Sequence, residues 1–235
     1  MPRPRGRCCW IQNYGADPTR LCISPPGVIH DVFSPGDRRL QRAELGLPED
    51  DPLVLFVGRV QPLKGIDVAV EAFALLRRQH PTARLVVVGG PSGPSGSDEL
   101  QNARDVVDKA GVTDGVSFLH PVGHSVLARY YRAANVLLVP SRSESFGLVA
   151  VEAQASGLPV VAARVGGLAY AVADGQSGFL IDGWDPADYA EAAGAVLLDS
   201  ELAVRLGKGG IEHADRFSWD ATANRFFELY DGVTS

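Results

Sequence analysis

The chain has 235 residues, 46% of them hydrophobic and 21% charged, enough for one sizeable core with an appendage. A formal net charge of −6 argues against a general nucleic-acid-binding protein, and no apolar stretch approaches the roughly 18 residues of a membrane span. Cys8, Cys9 and Cys22 cluster near the start without metal or disulfide spacing, and no apolar signal segment follows the basic opening, a pattern that reads as reducing and cytoplasmic.

Residues 1–52 do not begin a strand–helix–strand unit. They contain Pro25-Pro-Gly27 and Phe33-Ser-Pro-Gly-Asp37 ahead of a helix at about 38–45, and read as a linker arriving from elsewhere. From residue 53 the pattern alternates. Leu53-Val-Leu-Phe-Val57 is a short apolar run ending at Gly58, the mark of a buried strand. Ile66, Val70, Phe73 and Leu76 then recur at helical spacing within 65–79. Strand 85–88 ends at Gly89-Gly90, and a polar helix near 98–110 leads to strand 116–119. A helix over 124–134 leads to strand 136–139. A further helix precedes strand 160–162, and strand 178–181 closes the sheet. Such repetition predicts an α/β fold, a Rossmann-like doubly wound parallel sheet. Helices are predicted at 186–199, 201–215 and 219–231, the last capped by Ser218 and carrying Phe226, Phe227, Leu229 and Tyr230. Residues 91–97 read as a flexible loop and not as a phosphate cradle, because the Walker lysine is absent.

In doubly wound sheets ligands sit beyond the carboxyl ends of the strands, where Gly58, Gly89, His120 and Ser141 fall. The segment there with the most chemistry is Glu144-Ser-Phe-Gly-Leu-Val-Ala-Val-Glu152. Its two carboxylates are eight positions apart, a little over two helical turns, so both can lie on one side of the element. The glycine-containing stretch between them offers bare N–H groups at a helix start, which favour an anion. Carboxylates accept from hydroxyls, so the combination suits a phosphorylated, polyhydroxylated ligand such as a nucleotide sugar. From spacing alone, a surface acid and a helix-capping acid are equally good readings. Gly58-Arg59-Val-Gln-Pro-Leu-Lys64-Gly65 adds two cations at another strand end, though an Arg and a Lys near a loop are usually solvated. His120 and His124 read as structural or solvated.

Together, Pro25-Pro-Gly-Val28, Gly58-Arg59 through Lys64-Gly65, the acid pair, Ser145-Phe-Gly-Leu148 and Gly166-Gly167 resemble the retaining glycosyltransferases of the GT-B fold, group GT4, over about residues 20–235. Val57-Gly-Arg-Val-Gln-Pro-Leu-Lys64, Val88-Gly-Gly-Pro-Ser-Gly93, Glu152-Ala-Gln-Ala-Ser-Gly157 and Ala162-Ala-Arg-Val-Gly-Gly167 resemble the branch of that family that opens mycothiol synthesis. The resemblance implies retaining transfer of N-acetylglucosamine from UDP-N-acetylglucosamine to 1D-myo-inositol 3-phosphate. Another hexosyl donor or acceptor, and a non-catalytic nucleotide-sugar-binding module, are the alternatives it leaves open.

Further implications concern residues. Arg59 and Lys64 would hold the donor diphosphate, Glu144 the hexose hydroxyls and Glu152 the ribose, with backbone near Val122 on the uracil. Phe146, Gly147, Leu148 and Val149 would line the sugar and phosphate. No cofactor takes part in the chemistry the resemblance implies. A structural magnesium would be held partly by backbone around Tyr131, Arg132 and Ala134, but Leu158 stands where the family pattern has a threonine ligand. GT-B enzymes place the acceptor pocket in a separate N-terminal domain. The expectation is therefore a donor domain over 53–217, the linker 1–52, and a helix at 218–235 that packs back on an acceptor domain or partner chain. The apolar residues of that helix also favour self-association as a homodimer.

Overall fold

The computed structural model describes Gly15, Asp17 and residues 24–234, the side chains of 232–234 excepted. The basic opening and the three cysteines lie outside the described residues. Six strands form one parallel sheet: β1 (Leu53–Val57), β2 (Arg84–Val88), β3 (Val116–Leu119), β4 (Val136–Val139), β5 (Val160–Ala163) and β6 (Gly178–Ile181), in spatial order β3-β2-β1-β4-β5-β6. Every pairing is parallel, with Leu55 opposite Val86 on one side of β1 and opposite Leu137 on the other. The order reverses between β1 and β4, which makes their carboxyl ends the switch point.

The strands are apolar at nearly every position because both faces are covered. Leu53, Leu55, Val86, Leu137, Val139 and Val160 point into one core, and Val54, Phe56, Leu85, Val87, Val136 and Val161 into the other. Period-two alternation of side chains makes that division. The first core is closed by α1 (Arg38–Leu45), α4 (His124–Ala133), α5 (Leu148–Ala155) and the short α6 (Leu168–Ala171), and the second by α2 (Ile66–Arg77), α3 (Gly96–Ala110) and α7 (Pro186–Leu198). Helices α8 (Ser200–Ala214) and α9 (Trp219–Thr234) follow.

Local chemistry sets the helix starts. The Asp37 carboxylate accepts from Arg39 N and Leu40 N, Asp185 from Ala187 N, and Asp199 from Glu201 N and Leu202 N. The Ser218 hydroxyl accepts from Ala221 N at 3.0 Å, as its place ahead of Trp219 predicts. Differences from the sequence reading are small. Helix α3 starts at Gly96, inside the stretch expected to be loop, with Asp98 and Glu99 in a first turn that favours acids. Helix α6 is too short for periodicity to reveal.

Incoming and outgoing segments run side by side. Val28 N donates to Phe217 O at 2.8 Å, and the Thr222 hydroxyl donates to Pro25 O at 2.8 Å. Trp219, Phe226 and Phe227 on α9 are exposed. Among the described residues no helix is long and apolar enough to cross a membrane.

Candidate functional site

A cleft of about 240 Å³ opens at the switch point, lined by Val57 at the end of β1 with Gly58 after it and by Val139 at the end of β4 with Ser141 after it. Its floor is the end of the sheet. One wall is the turn Pro62–Lys64 that starts the β1–α2 connection, and the other is the segment 144–149 that enters α5. Gly65 ends that turn in the left-handed region (φ 67°), and a Cβ there would collide with the Pro140 carbonyl, so only glycine lets the turn rest on the end of β4.

The two walls are tied together. Arg142 N donates to Leu63 O at 2.8 Å, and the Arg142 guanidinium donates to Pro62 O and bidentately to Asp67 at 2.9 and 2.6 Å. Burial tends to raise the Asp67 carboxyl, but the Arg142 guanidinium outweighs it and holds the group below the usual range. Behind the second wall, Gly167 N donates to Glu144 O at 2.9 Å. Gly166 (φ 47°) approaches the same carbonyl so closely that no side chain fits. Phe146 sits edge-on to Phe217, ring centroids 5.4 Å apart, which links this wall to the point where the outgoing segment crosses Val28.

Lys64 Nζ and Glu144 Oε2 meet across the cleft at 2.5 Å, with side chains 19% and 13% exposed. Gly147 opens α5 without a side-chain cap, and the N–H groups of Gly147, Leu148 and Val149 have no partner among the described residues. Arg59, next in the chain after Gly58, is exposed and forms no ion pair among the described residues. The cleft thus combines an ammonium and three open N–H groups on the anion side with a carboxylate on the hydroxyl side, and Arg59 stands exposed one residue beyond Gly58 in the chain. A phosphorylated polyol is the ligand such groups complement.

The acid pair does not share a helical face in the way its spacing implied. Glu144 lies four residues ahead of the first helical residue, so counting turns has no meaning across the two. Glu152 sits inside α5 and has a different partner, the Tyr131 hydroxyl, which donates to Glu152 Oε2 at 3.0 Å. Burial lifts the Glu152 carboxyl above its ordinary value, against the pull of that hydroxyl and of His124. Lys64, Glu144, Phe146, Gly147, Leu148 and Val149 line the enclosed part of the cleft, whereas Arg59, Val122 and Glu152 do not. His120 and His124 are exposed, His124 with its ring 5.7 Å from that of Phe33. Sequence reasoning missed Tyr131 and Arg142 as site-shaping side chains. Each acts on a partner distant in the chain, and no local pattern marks them.

At one position, Leu158, the side chain does not fit the magnesium site that the resemblance implies. Leu158 is 2% exposed within the first core and supplies no oxygen where the family pattern has a threonine. A hard cation needs a near-complete oxygen shell, and no step below runs through a metal.

A doubly wound parallel sheet with a cleft at its switch point has the architecture in which ligands bind beyond the carboxyl ends of the strands. The chain is a member of the glycosyl transferases group 1 family, whose family model matches residues 37–213. A D-inositol 3-phosphate glycosyltransferase of Acidothermus cellulolyticus is 53% identical over 224 residues, which is 94% of this chain and 50% of the relative. The chain spans about half the length of the curated relatives it matches. Among solved structures, sucrose-phosphate synthase from Thermosynechococcus elongatus is 36% identical with a TM-score of 0.86, over 98% of this chain and 57% of that one. Anabaena HepE, solved with UDP and glucose, shares the fold at 22% identity and a TM-score of 0.85, over 96% of this chain and 60% of its own.

Proposed function

We propose that this chain is the donor-binding half of a retaining UDP-sugar transferase, whose reaction moves N-acetylglucosamine from UDP-N-acetylglucosamine to 1D-myo-inositol 3-phosphate in the cytoplasm. The observation that carries the reading is the cleft in which Lys64 and Glu144 meet beside the open N–H groups of 147–149. The names of relatives about 50% identical support the acceptor.

In this reading the diphosphate lies between Arg59, Lys64 and the start of α5. Glu144 exchanges its Lys64 partner for hexose hydroxyls, Glu152 takes the ribose, and backbone near Val122 meets the uracil. The bond from the anomeric carbon to the β-phosphate oxygen breaks while the acceptor oxygen bonds to the same face. The acceptor proton passes to the departing diphosphate. Charge separates in an oxocarbenium-like transition state, so the residues contribute mainly electrostatics and positioning. Acceptor recognition falls to the half of the relatives' length outside this match, or to a partner chain, seated against α9 and its exposed Trp219, Phe226 and Phe227.

Calorimetry with UDP, GDP, UDP-N-acetylglucosamine and UDP-glucose tests the donor. UDP should bind at least about tenfold tighter than GDP, a difference of about 1.4 kcal/mol. Equal affinity for UDP and GDP overturns the base assignment. Another hexose is the rival donor sugar, and the two UDP-sugars separate these readings. The purified 235-residue chain should show negligible transfer to inositol 3-phosphate, with turnover on adding the amino-terminal half of the Acidothermus relative. Steady turnover by the chain alone overturns the placement of the acceptor site.

A further inference from the structure

Glu152 is an acid with no salt-bridge partner among the described residues, although His124 lies within electrostatic reach. No Lys or Arg pairs with it among the described residues, yet it is held largely away from water. An acid with a purely structural task in such a place would ordinarily be paired or replaced by an amide, because an unpaired buried charge is costly. The one hydrogen bond to its carboxylate among the described residues comes from the Tyr131 hydroxyl, and Tyr131 projects from α4 and is 1% exposed. The Tyr131 ring cannot swing. It lies edge-on to Phe33 with centroids 5.8 Å apart, inside the core that also contains Leu127, Ala128 and Val151. The hydroxyl is therefore a fixed point at the end of a wedged ring.

Only Oε2 of Glu152 is engaged. Oε1 has no partner among the described residues, and it is absent from the polar atoms sealed without one. A carboxylate with both oxygens loose samples many orientations, whereas one anchored at a single oxygen presents the other in a set direction. Burial and the neighbouring carboxylate both push the Tyr131 phenol upward, so it stays protonated and remains a donor.

We infer that Tyr131 is a positioning residue for the donor site, clamping Oε2 of Glu152 so that Oε1 is aimed at the ribose hydroxyls and the site selects a ribonucleotide. The inference rests on the donor-site reading of Glu152 given above. It assigns the Tyr131 side chain a role in nucleotide selection and makes no use of its backbone.

The test is calorimetry of the full chain with UDP and with 2′,3′-dideoxy-UDP, which lacks both ribose hydroxyls. The parent should prefer UDP by about tenfold or more, the scale of a hydrogen bond to an ionised group. Tyr131→Phe, which keeps the ring and removes only the hydroxyl, should cut that preference at least threefold by weakening UDP while leaving dideoxy-UDP within twofold. In a Glu152→Ala background the same change should leave the preference where Glu152→Ala puts it. Tyr131→Met, an adaptable filler of core space, replaces Phe if that variant does not fold. Equal weakening of both ligands means a merely structural role and overturns the inference, as does a preference untouched by Tyr131→Phe. A parent that fails to distinguish the two ligands overturns the ribose reading of Glu152 and the inference with it.

Discussion

The two central strands, β1 and β4, end very differently. At their amino ends the Arg42 guanidinium, 3% exposed, donates to Ala133 O at 2.9 Å, to Pro48 O and Glu49 O, and to Asn135 Oδ1 at 2.7 Å. Asn135 Oδ1 also accepts from Leu53 N at 2.8 Å, and Asn135 N donates to Leu53 O. Donors and acceptors there are consumed by the protein itself. At the carboxyl ends Lys64 has one carboxylate, Arg59 stands in solvent, and three N–H groups of the α5 start are open. A cation whose donors go to backbone carbonyls and a buried amide oxygen holds the fold together. A cation left with spare capacity beside unpaired N–H groups marks a place for a ligand.

The contrast is broken most severely at the structural end. Arg42→Ala leaves several buried carbonyls without donors and should cost about 3 kcal/mol of stability by urea unfolding. The molecules that remain folded should bind UDP as the parent does. A variant of unchanged stability and weakened UDP binding would reverse the assignment of the two ends.

At the ligand end, Arg59→Ala and Lys64→Ala should each weaken UDP binding about tenfold, or about 1.4 kcal/mol, through loss of a charge-assisted contact. Arg59→Ala should leave the melting temperature unchanged, since the side chain is exposed and unpaired among the described residues. If uridine and UDP suffer equally in titrations of these variants, the contact is not with phosphate.

A smaller effect separates the two acids. Glu144→Ala removes the partner that holds Lys64, so UDP affinity should stay level or rise while UDP-N-acetylglucosamine affinity falls a few-fold. Glu152→Ala should weaken both ligands. The opposite pattern would exchange the two roles without disturbing the cleft.

The smallest expected effect is a pH dependence. Burial raises the Glu152 carboxyl in the folded chain, so the folded state binds the proton more tightly than the unfolded state. Stability from this group is complete below the unfolded carboxyl value and is lost as pH rises through the raised folded value. Glu152→Gln does not titrate. Its melting temperature relative to the parent should therefore be higher at pH 7 than at pH 4, and a flat difference across that range would show that the group is not desolvated.

Much of this was legible in the chain. Each strand came from a short apolar run, several of them ending at glycine or proline, the long helices from helical spacing or from their place between strands, and the last helix also from its Ser218 cap. The chemistry of Glu144, Lys64 and the Gly147 helix start could also be read locally. What could not be read were the pairings. Lys64 with Glu144 spans 80 residues and Tyr131 with Glu152 spans 21, and neither leaves a periodic trace. Helix α6 has four residues, too few for a period.

The sequence by itself determined a parallel sheet covered on both faces, because alternating apolar runs and amphipathic helices allow little else. It also determined which chemical groups would stand at the strand ends. Tertiary structure alone decided how those groups divide the work. The strand order places β1 beside β4, and that neighbourhood brings the Lys64 turn against the Glu144 wall. The packing of α4 on α5 then brings the Tyr131 hydroxyl to Glu152. Burial, distance and partner are properties of the folded neighbourhood, and they separate two carboxylates that are chemically identical in the chain.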